Sequence, residues 1–116
     1  KIAQQVVNKY IRLRDKDSSC FTCDSKLGAK YDAGHFFSAG GHWAVRFDER
    51  NIHAQCVNCN QHKHGNLIEY QKRLVSKLGY DEYALLEAES KKTRNYTKEE
   101  LKEIIETYKN KIKALN

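Results

Sequence analysis

Cys20-Phe-Thr-Cys23 and Cys56-Val-Asn-Cys59 are the residues of this chain best suited to hold a metal ion. Each C-x-x-C pair forms a tight knuckle with the bite for two thiolate bonds. Together the pairs offer the four sulfurs of one tetrahedral zinc site. All four Cys and all five His fall between Cys20 and His64, and the flanks contain none. Two disulfides would need an export context, of which there is no sign. A redox role is weaker, because two linked pairs exceed what a thioredoxin-like motif uses. The expected site is closed and structural, since a strand-turn-strand unit of roughly 35 residues buries too little apolar surface to fold alone.

A second group of residues lies between and after the cysteines. His35 has a side chain whose ordinary pKa is near neutrality, as a general base needs. Asn51 follows Asp48-Glu49-Arg50, Asn60 comes directly after Cys59, and His64 is four residues further on. On a continuous helix Asn60 and His64 would share one face.

These residues need elements to position them. Residues 1–14 place Ile2, Val6, Val7, Tyr10 and Leu13 at helical spacing, and 15–19 form a polar turn. Lys30 to Phe37 reads as a strand, Ala39-Gly40-Gly41 as a turn, and Trp43, Val45 and Phe47 as a second strand at period two, with Asn51 after it. A helix from Val57 to about His64 completes the central segment. Asn66-x-x-Glu69 resembles a capping box for a helix ending at Gly79, and Asp81 suits the cap of a short helix through Leu86. Thr97-x-x-Glu100 opens a final helix whose stripe of Leu101, Ile104, Ile105, Tyr108, Ile112 and Leu115 serves core or dimer packing, with Lys109, Lys111 and Lys113 outward. The fold class expected is α+β, mostly helical, in one domain: an N-terminal helix and turn (1–19), a zinc-clamped core (20–66) and a helical C-terminal part (67–116).

With 116 residues, 40% of them hydrophobic, the chain suits one domain with a modest core. No apolar run approaches the ~20 residues of a membrane span. No secretory signal is visible, and because the sequence opens on Lys1, a trimmed leader or further N-terminal segment is left open. The net charge of +6 favours a polyanionic partner. It is spread along the chain rather than gathered in a tail, which points to a folded binding surface. Charge alone would fit RNA, DNA or an anionic membrane; Lys30, Arg46, Arg50 and Lys63 of the central segment are candidate phosphate contacts, and His42 beside the glycine turn is a candidate surface contact.

The ordered set Cys20, Cys23, His35, Asn51, Cys56, Cys59, Asn60 resembles the HNH, or ββα-metal, nuclease motif in its variety with a C-x-x-C zinc clamp. The longer run AGHFF…RFDERNIHAQCVNCNQHKHGNLIEY is similar to the phage lambda NinG (Rap) family of recombination endonucleases, which act on Holliday junctions and D-loops. The resemblance implies that His35 is the general base and that Asn51 braces the loop and orients it. Asn60 and His64 would hold a catalytic Mg²⁺ or Mn²⁺, which stabilises charge on the scissile phosphate, and the products would carry 5′-phosphate and 3′-hydroxyl ends. It implies work in the cytoplasm of a bacterial host. Many HNH enzymes place a ligand directly before the base, where this chain has Gly34. Asp32 is the nearest substitute and would need a bulge or a water bridge.

Two other readings stay open at this level: a zinc-stabilised nucleic-acid-binding module without catalysis, and an HNH nuclease with no preference for branched DNA. Symmetric cutting of a four-way junction would be helped by a homodimer.

Overall fold

The computed structural model describes residues 1–115. Ala3, Val7 and Ile11 recur every fourth residue and are buried in helix α1 (Ile2–Arg14), so the apolar stripe both forms the helix and fixes its packing face. The polar turn after it fastens the sheet. Asp15 ends α1, and its carboxylate accepts the Ala54 N–H at 3.0 Å while holding Arg14 at 2.7 Å.

Strand β1 (Tyr31–His35) runs antiparallel to β2 (Ile52–Cys56), with Asp32 opposite Gln55 and Gly34 opposite His53 in an unbroken register. A single π turn (Asn58–His62) follows, then α2 (Leu67–Leu78), α3 (Tyr80–Ser90) and α4 (Lys98–Ala114). The architecture is α+β and mostly helical, with one small sheet. One apolar cluster joins Ala3, Val7, Ile11, Phe47 and Ile52 to the stripe of α4. A second joins Val45, Tyr70, Leu74, Tyr83 and Leu86. Ile52 and Ala33 tie the sheet to the first of them.

Five expectations need correction. Trp43–Val45 is a 3₁₀ turn, and the second strand is Ile52–Cys56, so Asn51 precedes that strand. The alternation of Trp43, Val45 and Phe47 is real, but hydrogen bonds from Val45 to His42 and from Arg46 to Trp43 coil it. Ile52 to Gln55 are all buried, so β2 has no polar-apolar alternation to announce it. The helix after Val57 is one π turn ending at His62, because Lys63, His64 and Gly65 turn away, with His64 at φ 51°. Asn66 makes no capping bond: it has φ 50°, and its amide donates to Cys59 Sγ. Helix α3 begins at Tyr80, one residue before the cap expected at Asp81. The Thr97–Glu100 capping box forms as expected, and α4 lays its stripe on α1, where Tyr10 and Tyr108 meet edge to face at 5.3 Å. Lys111 does not point outward; it bonds Glu49.

Candidate functional site

The first knuckle turns at Asp24, in the left-handed region at φ 63°, with the Cys20 and Ser25 backbones bonded at 2.8 Å. In the second, the Cys59 N–H donates to Cys56 Sγ at 3.4 Å. The knuckles meet because Cys56 ends β2 and Phe21 donates its N–H to Ala54 of that strand. All four Sγ atoms lie within 4.8 Å of one another, and none is in a disulfide. Four sulfurs this close fit one tetrahedral ion, whose Zn–S bonds of about 2.3 Å set neighbouring sulfurs about 3.8 Å apart. Burial would push the Cys20 thiol up, but hydrogen bonds from the backbone at Cys56 and from the hydroxyl and backbone of Thr22 outweigh it and bring it down to about 6. The cluster can therefore bind a metal ion such as zinc.

His35 closes β1, half-buried. Its Nε2–H donates to the Arg46 carbonyl at 2.9 Å, which leaves the Nδ1 lone pair free in the neutral ring. Burial lowers its pKa, as does the Arg46 charge, against the opposing hydrogen bond to the Arg46 carbonyl. Both effects favour the neutral ring. Asn51 is fully buried, so it positions rather than reacts. Its Oδ1 accepts the Phe37 N–H at 2.8 Å, and its Nδ2 donates to the carbonyls of Phe37 at 2.9 Å and Val45 at 3.2 Å. One amide thus closes the loop that carries the Arg46 carbonyl back to His35. Asn51→Ala would leave the Phe37 N–H and carbonyl unpaired, the Val45 carbonyl keeping the Asp48 N–H, and is expected to cost about 3 kcal/mol, read by urea unfolding of the metal-loaded protein.

Asn60 lies on the π turn, and its Oδ1 is 3.0 Å from the point where a Cβ on residue 34 would stand, beside the residue that precedes His35. Its Nδ2 donates to Asp32 Oδ2 at 3.0 Å, and Gln61 Nε2 reaches the same oxygen at 3.1 Å. Asp32 therefore meets Asn60 without the expected bulge. His64 does not share a helix face with Asn60; it is exposed in its left-handed turn.

The expected phosphate contacts divide. Lys30 and Lys63 are exposed. Arg50 is held by Asp48 at 2.7 Å and Glu82 at 3.2 Å, which corrects its reading as a free phosphate ligand. Arg46 donates to Gln4 at 2.8 Å and stacks 4.2 Å over Trp43, so its charge is engaged within the protein. His42 Nδ1 faces Ser38. Two cations were missed. Lys9 and Arg12, three residues apart on α1, line a notch of ≈ 420 Å³ with Lys30 and Tyr31. Tyr31 pins the notch by donating to the Arg12 carbonyl at 2.7 Å. The signal available was their place on the polar side of the first helix.

His53 is buried and stacked on Phe21 at 4.1 Å. Its Nδ1–H donates to the Tyr70 hydroxyl at 3.2 Å, which donates to the Gly34 carbonyl at 2.7 Å. Burial, then the charges of Arg14 and Lys77, bring its pKa down to about 3. The unfolded chain takes a proton at the ordinary 6.5 that the folded ring refuses, so stability falls as pH drops from 6.5 towards about 3. Between pH 7 and 5 the native protein is expected to lose about 2 kcal/mol more than His53→Asn, as zinc release is common to both.

The family model described as Bacteriophage Lambda NinG protein matches residues 1–116. "Protein ninG" of Escherichia phage lambda is 47% identical over 116 residues, covering 99% of this chain and 56% of the relative. The protein of that name from Salmonella phage P22 is 45% identical over 115 residues, 99% and 56% of the two chains. The one from Escherichia phage 933W is 46% identical over 116 residues, 99% and 57%. The chain thus spans just over half the length of these relatives. No solved structure matches.

Proposed function

Because the chain belongs to the bacteriophage NinG family, we propose that it is a metal-dependent HNH endonuclease domain that cleaves branched DNA, such as Holliday junctions and D-loops, in phage recombination. The observation that carries this reading is the Asn60 Oδ1 set against Gly34, next in the chain to a neutral, loop-anchored His35. On this reading the two β strands and the π turn form a ββα-metal core. Zinc on Cys20, Cys23, Cys56 and Cys59 is its structural clamp.

His35 Nδ1 takes a proton from water as the water oxygen bonds to phosphorus. The P–O3′ bond breaks, leaving a 5′-phosphate, and the departing 3′ oxygen gains a proton from solvent. Asn51 and the Arg46 carbonyl hold the ring in that tautomer. Asn60 and Asp32 would hold a Mg²⁺ or Mn²⁺, which when bound would supply electrostatic stabilisation of the developing charge. The oxygen donors suit such hard cations. His64 is kept as a further ligand only if its turn reorganises. Lys9, Arg12 and Lys30 place three positive charges in one notch beside the first residue of β1, where a DNA backbone would be gripped. Among the described residues no helix is long and apolar enough to cross a membrane, and the site of action proposed is the host cytoplasm.

The test is incubation with a synthetic four-way junction and a linear duplex of the same sequence, with Mg²⁺ or Mn²⁺. Preferential nicking of the junction supports the reading. Equal cutting of both substrates would replace it with an unselective nuclease, and binding without any nicking would leave a zinc-stabilised DNA-binding module.

A further inference from the structure

Gln55 is the next-to-last residue of β2, fully buried. Its Nε2 donates both its protons, to Thr22 Oγ1 at 3.0 Å and to the Gly65 carbonyl at 2.8 Å. That fixes the amide, because a flip would set its oxygen against the Gly65 carbonyl. The other end has no such partner: Gln55 Oε1 is a buried oxygen that accepts no hydrogen bond from the described residues. Leaving a buried acceptor unpaired is costly, so the oxygen calls for a partner.

The direction of that oxygen is informative. It lies 1.8 Å from the point where a Cβ on residue 34 would stand, so only glycine leaves room for it. Asn60 Oδ1 is 3.0 Å from the same point. Asp32 is opposite Gln55 in the sheet register and is joined to Asn60 by a hydrogen bond of 3.0 Å. Two side-chain oxygens, from β2 and the π turn, therefore border the space that Gly34 leaves, and Asp32 of β1 adjoins Asn60 through its amide nitrogen.

We propose that Gln55 is a ligand of the divalent cation, its amide oxygen filling the coordination position for which residue 34 has no side chain. This rests on the reading above insofar as Asn60 and Asp32 hold that cation. One carboxylate and two neutral amides are hard oxygen donors, and they leave a bound dication net positive towards a phosphate. Glycine at 34 and glutamine at 55 are then one device: the first clears the space and the second supplies the oxygen.

Mn²⁺ binding to the zinc-loaded protein, followed by the electron paramagnetic resonance signal of free Mn²⁺, tests the proposal without DNA. Gln55→Ala is expected to weaken binding at least about tenfold at unchanged zinc content. Adding Gly34→Asp to that variant puts a carboxylate in the cleared space and is expected to restore it. Unchanged affinity in a folded Gln55→Ala protein would make the amide a purely structural brace and overturn the proposal, as would a wild type that binds no Mn²⁺. If Gln55→Ala does not fold, the native protein decides. Substoichiometric Mn²⁺ should broaden the Gln55 side-chain amide resonances among the first, and their persistence overturns the assignment. Junction nicking is scored separately. A protein that binds Mn²⁺ through Gln55 but cuts nothing supports the ligand and removes the nuclease reading.

Discussion

Replacing His35 with alanine is expected to lower the rate of junction nicking about a thousandfold, within the span that a positioned general base contributes. The loss should fall on the chemical step. DNA affinity, zinc content and folding should hold, because the ring makes one hydrogen bond, to the Arg46 carbonyl, at the half-buried end of β1. Single-turnover nicking with enzyme in excess isolates that step from product release. The pH dependence adds a sharper check. A base must be neutral to accept a proton, and burial with the Arg46 charge holds His35 below its ordinary 6.5. The rate should therefore climb with pH on a limb lying below 6.5 and be flat through neutrality, and the limb should vanish in His35→Ala. Full activity in that variant would remove the imidazole from the chemistry.

What the sequence made legible follows from how far apart the partners lie. The cysteine knuckles are local, so spacing alone announced them, and the four sulfurs converge. Helices α1 and α2 were legible from stripes that bury one face each and α4 from a half-buried stripe laid on α1, with the end of α2 marked by Gly79 at φ 85° and the start of α4 by Thr97. The second strand was not, because periodicity reports a strand with one wet face and β2 is covered on both. Its buried His53 and Gln55 look like polar surface residues until their partners, Tyr70 and Gly65, arrive from beyond the second knuckle. The role of Gly34 was hidden for the same reason. As a gap in a motif it suggests a missing ligand, whereas in the fold it is the clearance for a side chain 21 positions away.

Removing the metal from the cysteine cluster should have the largest effect on stability. Structural zinc contributes about 10 kcal/mol or more in small domains, comparable with the whole stability of a domain of this size. Chelation is therefore expected to abolish the cooperative melting transition, and Cys20→Ser or Cys59→Ser to do the same without chelator. Thermal melting by circular dichroism reads this, alongside a thiol titration in which four sulfhydryls become reactive only after chelation. The consequence should reach the oxygen cluster as well. Gln55 Nε2 donates to Thr22 Oγ1, whose own proton is then directed at Cys20 Sγ, 3.5 Å away. Thr22 lies inside the first knuckle, so releasing the sulfurs frees the hydroxyl that aims Gln55 at the space beside Gly34 and Asn60. A conservative change separates this link from global unfolding. Thr22→Val keeps the four cysteines and the side-chain shape but cannot accept the Gln55 proton. It should retain zinc and a cooperative melt, lowered by about 1–3 kcal/mol for the unpaired amide, and still bind Mn²⁺ more weakly than the native chain. A melt that survives chelation unchanged would mean that the cysteines hold no structural metal and that the sheet stands on its two apolar clusters alone.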